Sequence, residues 1–77
     1  MNAQLQKVVA RVFKINAGTL HPESGPDTIP AWDSAGHINL ILALEQEFGV
    51  QFGEDEVVEM ISCEAIGAAL GQHGVQI

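Results

Sequence analysis

Residues 32–48 of the chain read WDSAGHINLILALEQEF, and this stretch decides the fold. Asp33 and Ser34 precede a long apolar run, and either side chain can cap the N-terminus of a helix there. Gly49 follows the run and is well placed to end that helix. We therefore predict a helix from Ser34 to Phe48.

Apolar residues occupy two directions around this predicted helix. At about 100° per residue, one side forms a core face made of Leu40, Ile41, Leu44 and Phe48. Ile38 and Leu42 lie on the side of Ser34, with Glu45 close by. A single helix in a small bundle does not need so wide an apolar arc. Ile38 and Leu42 therefore either pack on the last helix or contact a partner.

The rest of the chain also favours helices. Residues 2–14 have apolar side chains at helical spacing, with a basic stripe opposite. A short acidic helix from Glu54 to about Ile61 follows, with apolar anchors expected at Val57, Val58, Met60 and Ile61. Ser62 should cap a final helix. No segment alternates convincingly with period two, which is the pattern of a half-buried strand.

The segment between the first two helices reads as a loop. Residues 15–31 contain three prolines and two glycines, a composition that prevents a regular helix. We expect Ile15, Leu20 and Ile29 to pin this loop to the bundle. We therefore predict one domain over residues 1–77 with an all-α fold. It is a small right-handed bundle of three main helices plus one short helix, with a long loop between helices 1 and 2.

Composition limits the classes of partner. The net charge of −7 argues against binding to nucleic acid or to anionic membrane surfaces, and no apolar run is long enough to enter a bilayer. All three basic residues precede position 15, and all ten acidic residues follow position 22. The acidic part either faces basic partners or keeps the protein in solution. The single cysteine, Cys63, suits a buried position in a cytoplasmic protein.

No catalytic or metal site is predicted from the residues. His37 stands three positions after Ser34, but so small a domain cannot enclose a substrate cleft, and the sequence has no strained nucleophile elbow. His21 and His73 are expected to be isolated on the surface. The acidic run that begins at Glu54 lacks the order of an EF-hand loop, so a solvated helix face is the simpler interpretation.

A carrier role remains for Ser34. A serine at the start of a helix can accept a phosphodiester, because free backbone N–H groups and the helix dipole favour the negative charge. Apolar Ile38 and Leu42, with acidic residues nearby, would then form a docking surface for a basic enzyme. The simpler interpretation is that Ser34 only caps the helix.

The chain closely resembles the acyl carrier proteins. The resemblance rests on Asp33-Ser34, on the apolar helix that ends in Glu45-Gln46-Glu47-Phe48, and on the acidic run Glu54-Asp55-Glu56. It continues through a final helix with the pattern Ser62-Cys63-x-x-Ile66-x-x-x-Leu70, and it covers nearly the whole chain.

The resemblance implies a stand-alone, monomeric, cytoplasmic carrier that is not itself an enzyme. A phosphopantetheinyl transferase would attach 4′-phosphopantetheine from coenzyme A to Ser34, which Asp33 flanks. The arm would hold acyl intermediates as thioesters for fatty acid or polyketide biosynthesis, loaded by a ligase or synthase. Ile38, Leu42, Glu45, Glu54 and Asp55 would contact these partner enzymes.

The chain departs from the family pattern after the serine. Ala35 replaces the usual leucine or methionine, while Gly36, His37 and Asn39 stand where acidic residues are common. These departures weaken the case for a generic fatty acid synthase carrier, so a carrier dedicated to a specialised pathway stands beside it as an equal interpretation. Two alternatives stay open: an aminoacyl or peptidyl carrier, and an unmodified acidic helical module that binds a partner protein.

Overall fold

A computed structural model of the protein describes residues 1–76 and shows an all-α fold. Within these residues the helices are α1 (Ala3–Phe13), α2 (Ser34–Phe48), α3 (Glu54–Glu59) and α4 (Cys63–Gln72). A single 3-10 turn, Ala17–Thr19, lies in the long segment between α1 and α2, and no strand occurs in the described part of the chain. The predicted fold class, with three longer helices and one short helix, is confirmed. The short helix ends two residues earlier than expected.

The boundaries of α2 follow from its two terminal residues. Asp33 Oδ1 accepts a hydrogen bond of 2.8 Å from the Gly36 N–H, so Asp33 is the capping residue and Ser34 is the first residue inside the helix. At the other end Gly49 adopts the left-handed conformation with φ of 66°, and its N–H donates to the Glu45 carbonyl. Glycine suits this position because it has no Cβ to clash.

The core is formed by three helices and the loop. The buried apolar residues are Leu5, Val8, Val9 and Phe13 of α1, Leu40, Ile41 and Leu44 of α2, Cys63, Ile66, Ala69 and Leu70 of α4, and Leu20, Ile29, Trp32, Phe52 and Met60 outside the helices. Periodicity therefore identified most of the core face of each long helix. Phe48 was expected to be buried but is only partly buried at the edge of the core.

The prediction was also wrong about which residues anchor the short helix α3. Val58 and Ile61 were expected to anchor this segment, but they are 72% and 56% exposed. The buried anchors are Phe52 before the helix and Met60 after it. A helix of six residues is less than two turns long, so its sequence does not define which side faces the core.

The long loop packs tightly against the helices it connects and also against α4. Leu20 and Ile29 are buried as predicted, and Ile15 packs against the core. The loop carbonyls of Ser24 and Pro22 accept hydrogen bonds of 3.0 and 2.8 Å from the N–H groups of Cys63 and Glu64. Main chain of the loop therefore pairs the first two donors of α4, which no carbonyl within the helix can reach.

Gly36 allows the loop to pass directly over the start of α2. A Cβ atom at this position would overlap the Ala31 carbonyl oxygen and lie 3.1 Å from the Phe13 ring. The obstacle is backbone, which cannot rotate away as the end of a flexible side chain can. Gly36, one of the positions where the sequence departs from the acyl carrier pattern, thus has a steric role here.

None of the helices in residues 1–76 combines the length and the hydropathy that crossing a membrane requires.

Gly36→Ala should lower the free energy of unfolding by about 1–3 kcal/mol, because the new methyl group displaces the loop. Gly71→Ala is the matched control, since Gly71 lies in α4 with nothing within 4 Å of its Cβ position. That control should raise the free energy of unfolding by up to about 1 kcal/mol through helix propensity. Urea unfolding followed by circular dichroism measures both changes, and equal effects of the two variants would contradict the steric role of Gly36.

Candidate functional site: the start of helix α2

Ser34 is exposed, and its hydroxyl is free. No hydrogen bond among the described residues uses the Ser34 side chain, because Asp33 provides the cap. The hydroxyl therefore has no capping role that a modification would disrupt.

Two backbone donors are also free beside this hydroxyl. Within residues 1–76 the N–H groups of Ser34 and Ala35 have no hydrogen-bond partner, and the helical bonding begins with the His37 N–H, which donates to the Asp33 carbonyl at 2.8 Å. Free N–H groups and the positive end of the helix dipole favour a bound anion at this position.

The start of α4 provides a direct contrast. Ser62 stands at the start of α4 as its capping residue, and its Oγ accepts a hydrogen bond of 3.0 Å from the Ala65 N–H. The first N–H groups of α4 are bonded to the loop, as described above, and the Ile66 N–H donates to the Ser62 carbonyl. At Ser62 both the hydroxyl and the surrounding donors are therefore occupied.

A shallow groove of about 340 Å³ lies next to Ser34. It is lined by Pro26 and Trp32 of the loop, by Asp33, Ser34 and His37 around the start of α2, and by Ile61 after α3. The groove therefore combines apolar surface with a hydroxyl and a carboxylate at one end of the bundle.

His37 connects three parts of the structure at this groove. The Trp32 Nε1–H lies 2.9 Å from His37 Nδ1, and His37 Nε2 lies 2.7 Å from the Val57 carbonyl oxygen of α3. An indole N–H can only donate, so Nδ1 accepts, and Nε2 bears the hydrogen that is donated to Val57. Both ring nitrogens are thus engaged, which leaves neither free to act as a base for the Ser34 hydroxyl.

Trp32 was not singled out from the sequence, yet it holds this arrangement together. Its side chain is 2% exposed and stacks on Phe13, with ring centroids 5.2 Å apart. A buried tryptophan needs an acceptor for its N–H, and a histidine five residues later was the signal that could have revealed the pair. His37 itself is half-buried at the rim of the core.

The predicted contact residues on α2 are exposed. Ile38 and Leu42, one helical turn apart, are 53% and 54% accessible, so they do not pack on α4 as one of the two expectations had it. Val58 and Ile61 add two more exposed apolar side chains. The bond from His37 to the Val57 carbonyl brings α3 up to α2, and we call Ile38, Leu42, Val58 and Ile61 the exposed apolar set.

The acidic residues of the predicted contact surface differ in their exposure and in their hydrogen bonds. Glu54 and Asp55 are exposed in the first turn of α3. Glu45 is half-buried, and its Oε2 accepts a hydrogen bond of 2.8 Å from the Phe52 N–H. Glu45 therefore ties the end of α2 to the following loop, whatever it contributes to a partner.

Glu56 links α3 to α4 through His73, which the sequence had suggested would be isolated. Glu56 Oε1 accepts from the Gly53 N–H at 2.9 Å, while Oε2 lies 2.8 Å from His73 Nε2. His73 also packs edge-on against Phe52. The Gly53 N–H and His73 both favour the ionised carboxyl and hold the pKa of Glu56 below its ordinary value of 4.5.

Neither a metal cluster nor an exposed thiol occurs among the described residues. No cluster of three or more histidine, cysteine or acidic side chains that could hold a metal ion occurs within residues 1–76. Cys63 is 1% exposed, and burial raises the pKa of its thiol above the ordinary value of 9.0. A buried neutral thiol packs as a small apolar side chain, as predicted.

Comparison of the chain with models of known protein families gives no match, and comparison with the curated proteins gives none either.

Glu56→Gln should destabilise the protein at neutral pH and have little effect in strong acid. A carboxyl whose folded pKa is lowered stabilises the fold above about pH 4.5, and this contribution is lost as the pH falls through the folded value. The melting temperature of the variant should therefore be lower than that of the wild type at about pH 7, and the two should converge at about pH 2.

Glu59→Gln removes the same charge from an exposed side chain of α3 that makes no hydrogen bond within the described residues, and it is the matched control. If both variants lowered the melting temperature equally at neutral pH, general charge effects and not the contacts of Glu56 would explain the result.

Proposed function

We propose that the chain is an acyl carrier protein in which Ser34 bears a 4′-phosphopantetheine arm. One observation carries this proposal: Ser34 is the first residue of α2, exposed, with its hydroxyl free because Asp33 caps the helix. The similarity of the sequence motif to acyl carrier proteins supplies the identity of the group.

The local chemistry fits a phosphodiester on Ser34. The unpaired N–H groups of Ser34 and Ala35 would face the negative charge at the positive end of the α2 dipole. The groove that includes Trp32 and Ile61 offers apolar surface to the chain beyond the phosphate. When bound, the arm supplies a terminal thiol that holds an acyl group as a thioester.

The chain's own residues bind and present the group but do not activate the serine. The nitrogen atoms of His37 are already engaged by Trp32 and Val57. A separate transferase must therefore supply the base that accepts the Ser34 hydroxyl proton. For this reason we assign the chain the role of a substrate of other enzymes, not of a catalyst.

The exposed apolar set would serve as the docking surface for these enzymes. Large apolar side chains that stay in water next to a modified residue favour contact with a partner. Glu54 and Asp55 add negative charge from α3, which suits a transferase or loading ligase with a basic surface. Gly36 departs from the family pattern because the Ala31 carbonyl leaves no room for a Cβ atom at this position.

Two related functions are compatible with the same residues. An aminoacyl or peptidyl carrier would use Ser34 identically, because the loading enzyme chooses the cargo. An unmodified module that binds a partner protein is favoured by the exposed apolar set alone, and in that case Ser34 would never receive an arm.

Priming of Ser34 can be tested with coenzyme A, magnesium and a broad-specificity phosphopantetheinyl transferase. Intact-protein mass spectrometry should show the gain of one phosphopantetheinyl group on the wild type and none on Ser34→Ala, which should fold normally because Asp33 retains the cap. A folded wild type that gains no mass would exclude the carrier proposal and leave the interaction module.

Ser62→Ala is the matched control, because Ser62 also stands at a helix start but uses its hydroxyl as a cap. It should lose about 1 kcal/mol of stability and still gain the group.

The docking surface can be tested on the same reaction. Ile38→Ala should raise the KM for the carrier in the transferase reaction several-fold while the melting temperature stays nearly unchanged, because more than half of the Ile38 side chain is already exposed. Leu44→Ala is the comparison: its side chain is fully buried, so it should cost about 2–5 kcal/mol of stability. An unchanged KM for Ile38→Ala would remove Ile38 from the docking surface.

A further inference from the structure

Helix α3 has less support from the core than the other helices of residues 1–76. It has six residues and none of them is buried, whereas α1, α2 and α4 each contribute buried side chains. So short a helix does not persist in water without outside contacts. Buried Phe52 and Met60 hold the chain on either side of it, and within the helix only the partly buried Val57 packs against the core. Polar contacts of the helix therefore contribute to its orientation.

Two histidines make such contacts, at neighbouring residues in the middle of the helix. His73 pairs with the side chain of Glu56, and His37 donates to the carbonyl of Val57. Only the His37 contact joins α3 to the start of α2, where Ser34 lies. Ile61 follows α3 by two residues and lines the same groove as Ser34 and His37, so a displacement of α3 changes the groove.

We infer that His37 is a positioning residue whose Nε2–H holds α3 against the start of α2 and so forms the groove beside Ser34. Trp32 fixes this state of the ring by donating to Nδ1, which leaves Nε2 as the donor towards Val57. Neither contact requires the Ser34 hydroxyl. The effect of His37 on priming, in contrast, rests on the proposed carrier function.

Two isosteric variants separate the two hydrogen bonds of His37. In His37→Asn the side-chain carbonyl can replace Nδ1 as the acceptor for Trp32, but no donor reaches Val57. In His37→Gln the amide NH₂ occupies the position of Nε2 and can still donate to Val57. His21→Asn is the control, because His21 is exposed and its side chain makes no hydrogen bond among the described residues.

Amide hydrogen exchange of the unmodified protein provides the first test. His37→Asn should speed exchange in α3 roughly five- to tenfold, the effect of one lost hydrogen bond, with α1 unchanged. In His37→Gln the lost acceptor for Trp32 should act on the whole core, so exchange in α3 relative to α1 should stay within about twofold of the wild type. His21→Asn should change neither helix. Unchanged exchange in His37→Asn, or equal acceleration in α1 and α3, would overturn the assignment.

A second measurement does not depend on the variants folding. Nitrogen-15 NMR of wild-type His37 at neutral pH should show the tautomer with hydrogen on Nε2, and hydrogen on Nδ1 would overturn the proposal.

The third test concerns priming of the wild type and the two isosteric variants. His37→Asn should raise the KM for the carrier in the transferase reaction with little change in kcat, and His37→Gln should restore it. The wild type could show the expected exchange pattern and tautomer but accept no phosphopantetheine. That result would exclude the carrier function and still confirm the role of His37.

Discussion

The hydrogen bond from the Trp32 indole to His37 is the contact that fixes the end of the loop at the start of α2. A buried indole N–H without an acceptor would cost about 1–3 kcal/mol, a large share of the stability of so small a protein. His37, in the first turn of α2, accepts the hydrogen bond from Trp32. The Trp32 ring also stacks on Phe13 of α1. The end of the loop is therefore fixed between two helices. This position places Asp33 where it caps α2, and Ser34 one residue further, outside the capping interaction.

The long loop contributes buried apolar side chains that helices would supply in a larger domain. Small chains bury a modest fraction of their surface, so their connections must also cover apolar residues. Here the loop supplies Leu20, Ile29 and Trp32 to the core and pairs the first N–H groups of α4 with its own carbonyls. Such close contact of loop backbone and helix leaves no room for a side chain at Gly36. Packing therefore explains the glycine at position 36, and this departure from the acyl carrier pattern is not evidence about the choice of partner.

Local chemistry explains which features could be predicted from the sequence. Asp33 and Gly49 define the ends of α2 through their own backbone preferences, and Leu44 lies on a face with clear helical periodicity. Those signals act within a few residues. The contacts of His37 with Trp32 and Val57 depend on the path of the loop and on the placement of α3, neither of which is encoded by spacing along one helix. The same reason explains why Val58 and Ile61 were wrongly assigned to the core.

Ser34 and Ser62 show how similar sequence positions acquire different chemistry. Both stand at the start of a helix, but Ser62 uses its hydroxyl as a cap and the loop covers the neighbouring donors. At Ser34 a second polar residue performs the capping, so the hydroxyl can be esterified without loss of the helix. A free serine alone would mean little. The proposed carrier role rests on the position of Ser34 beside a groove and near several apolar side chains that remain in water. Exposed apolar side chains of this kind are typical of surfaces that contact a partner.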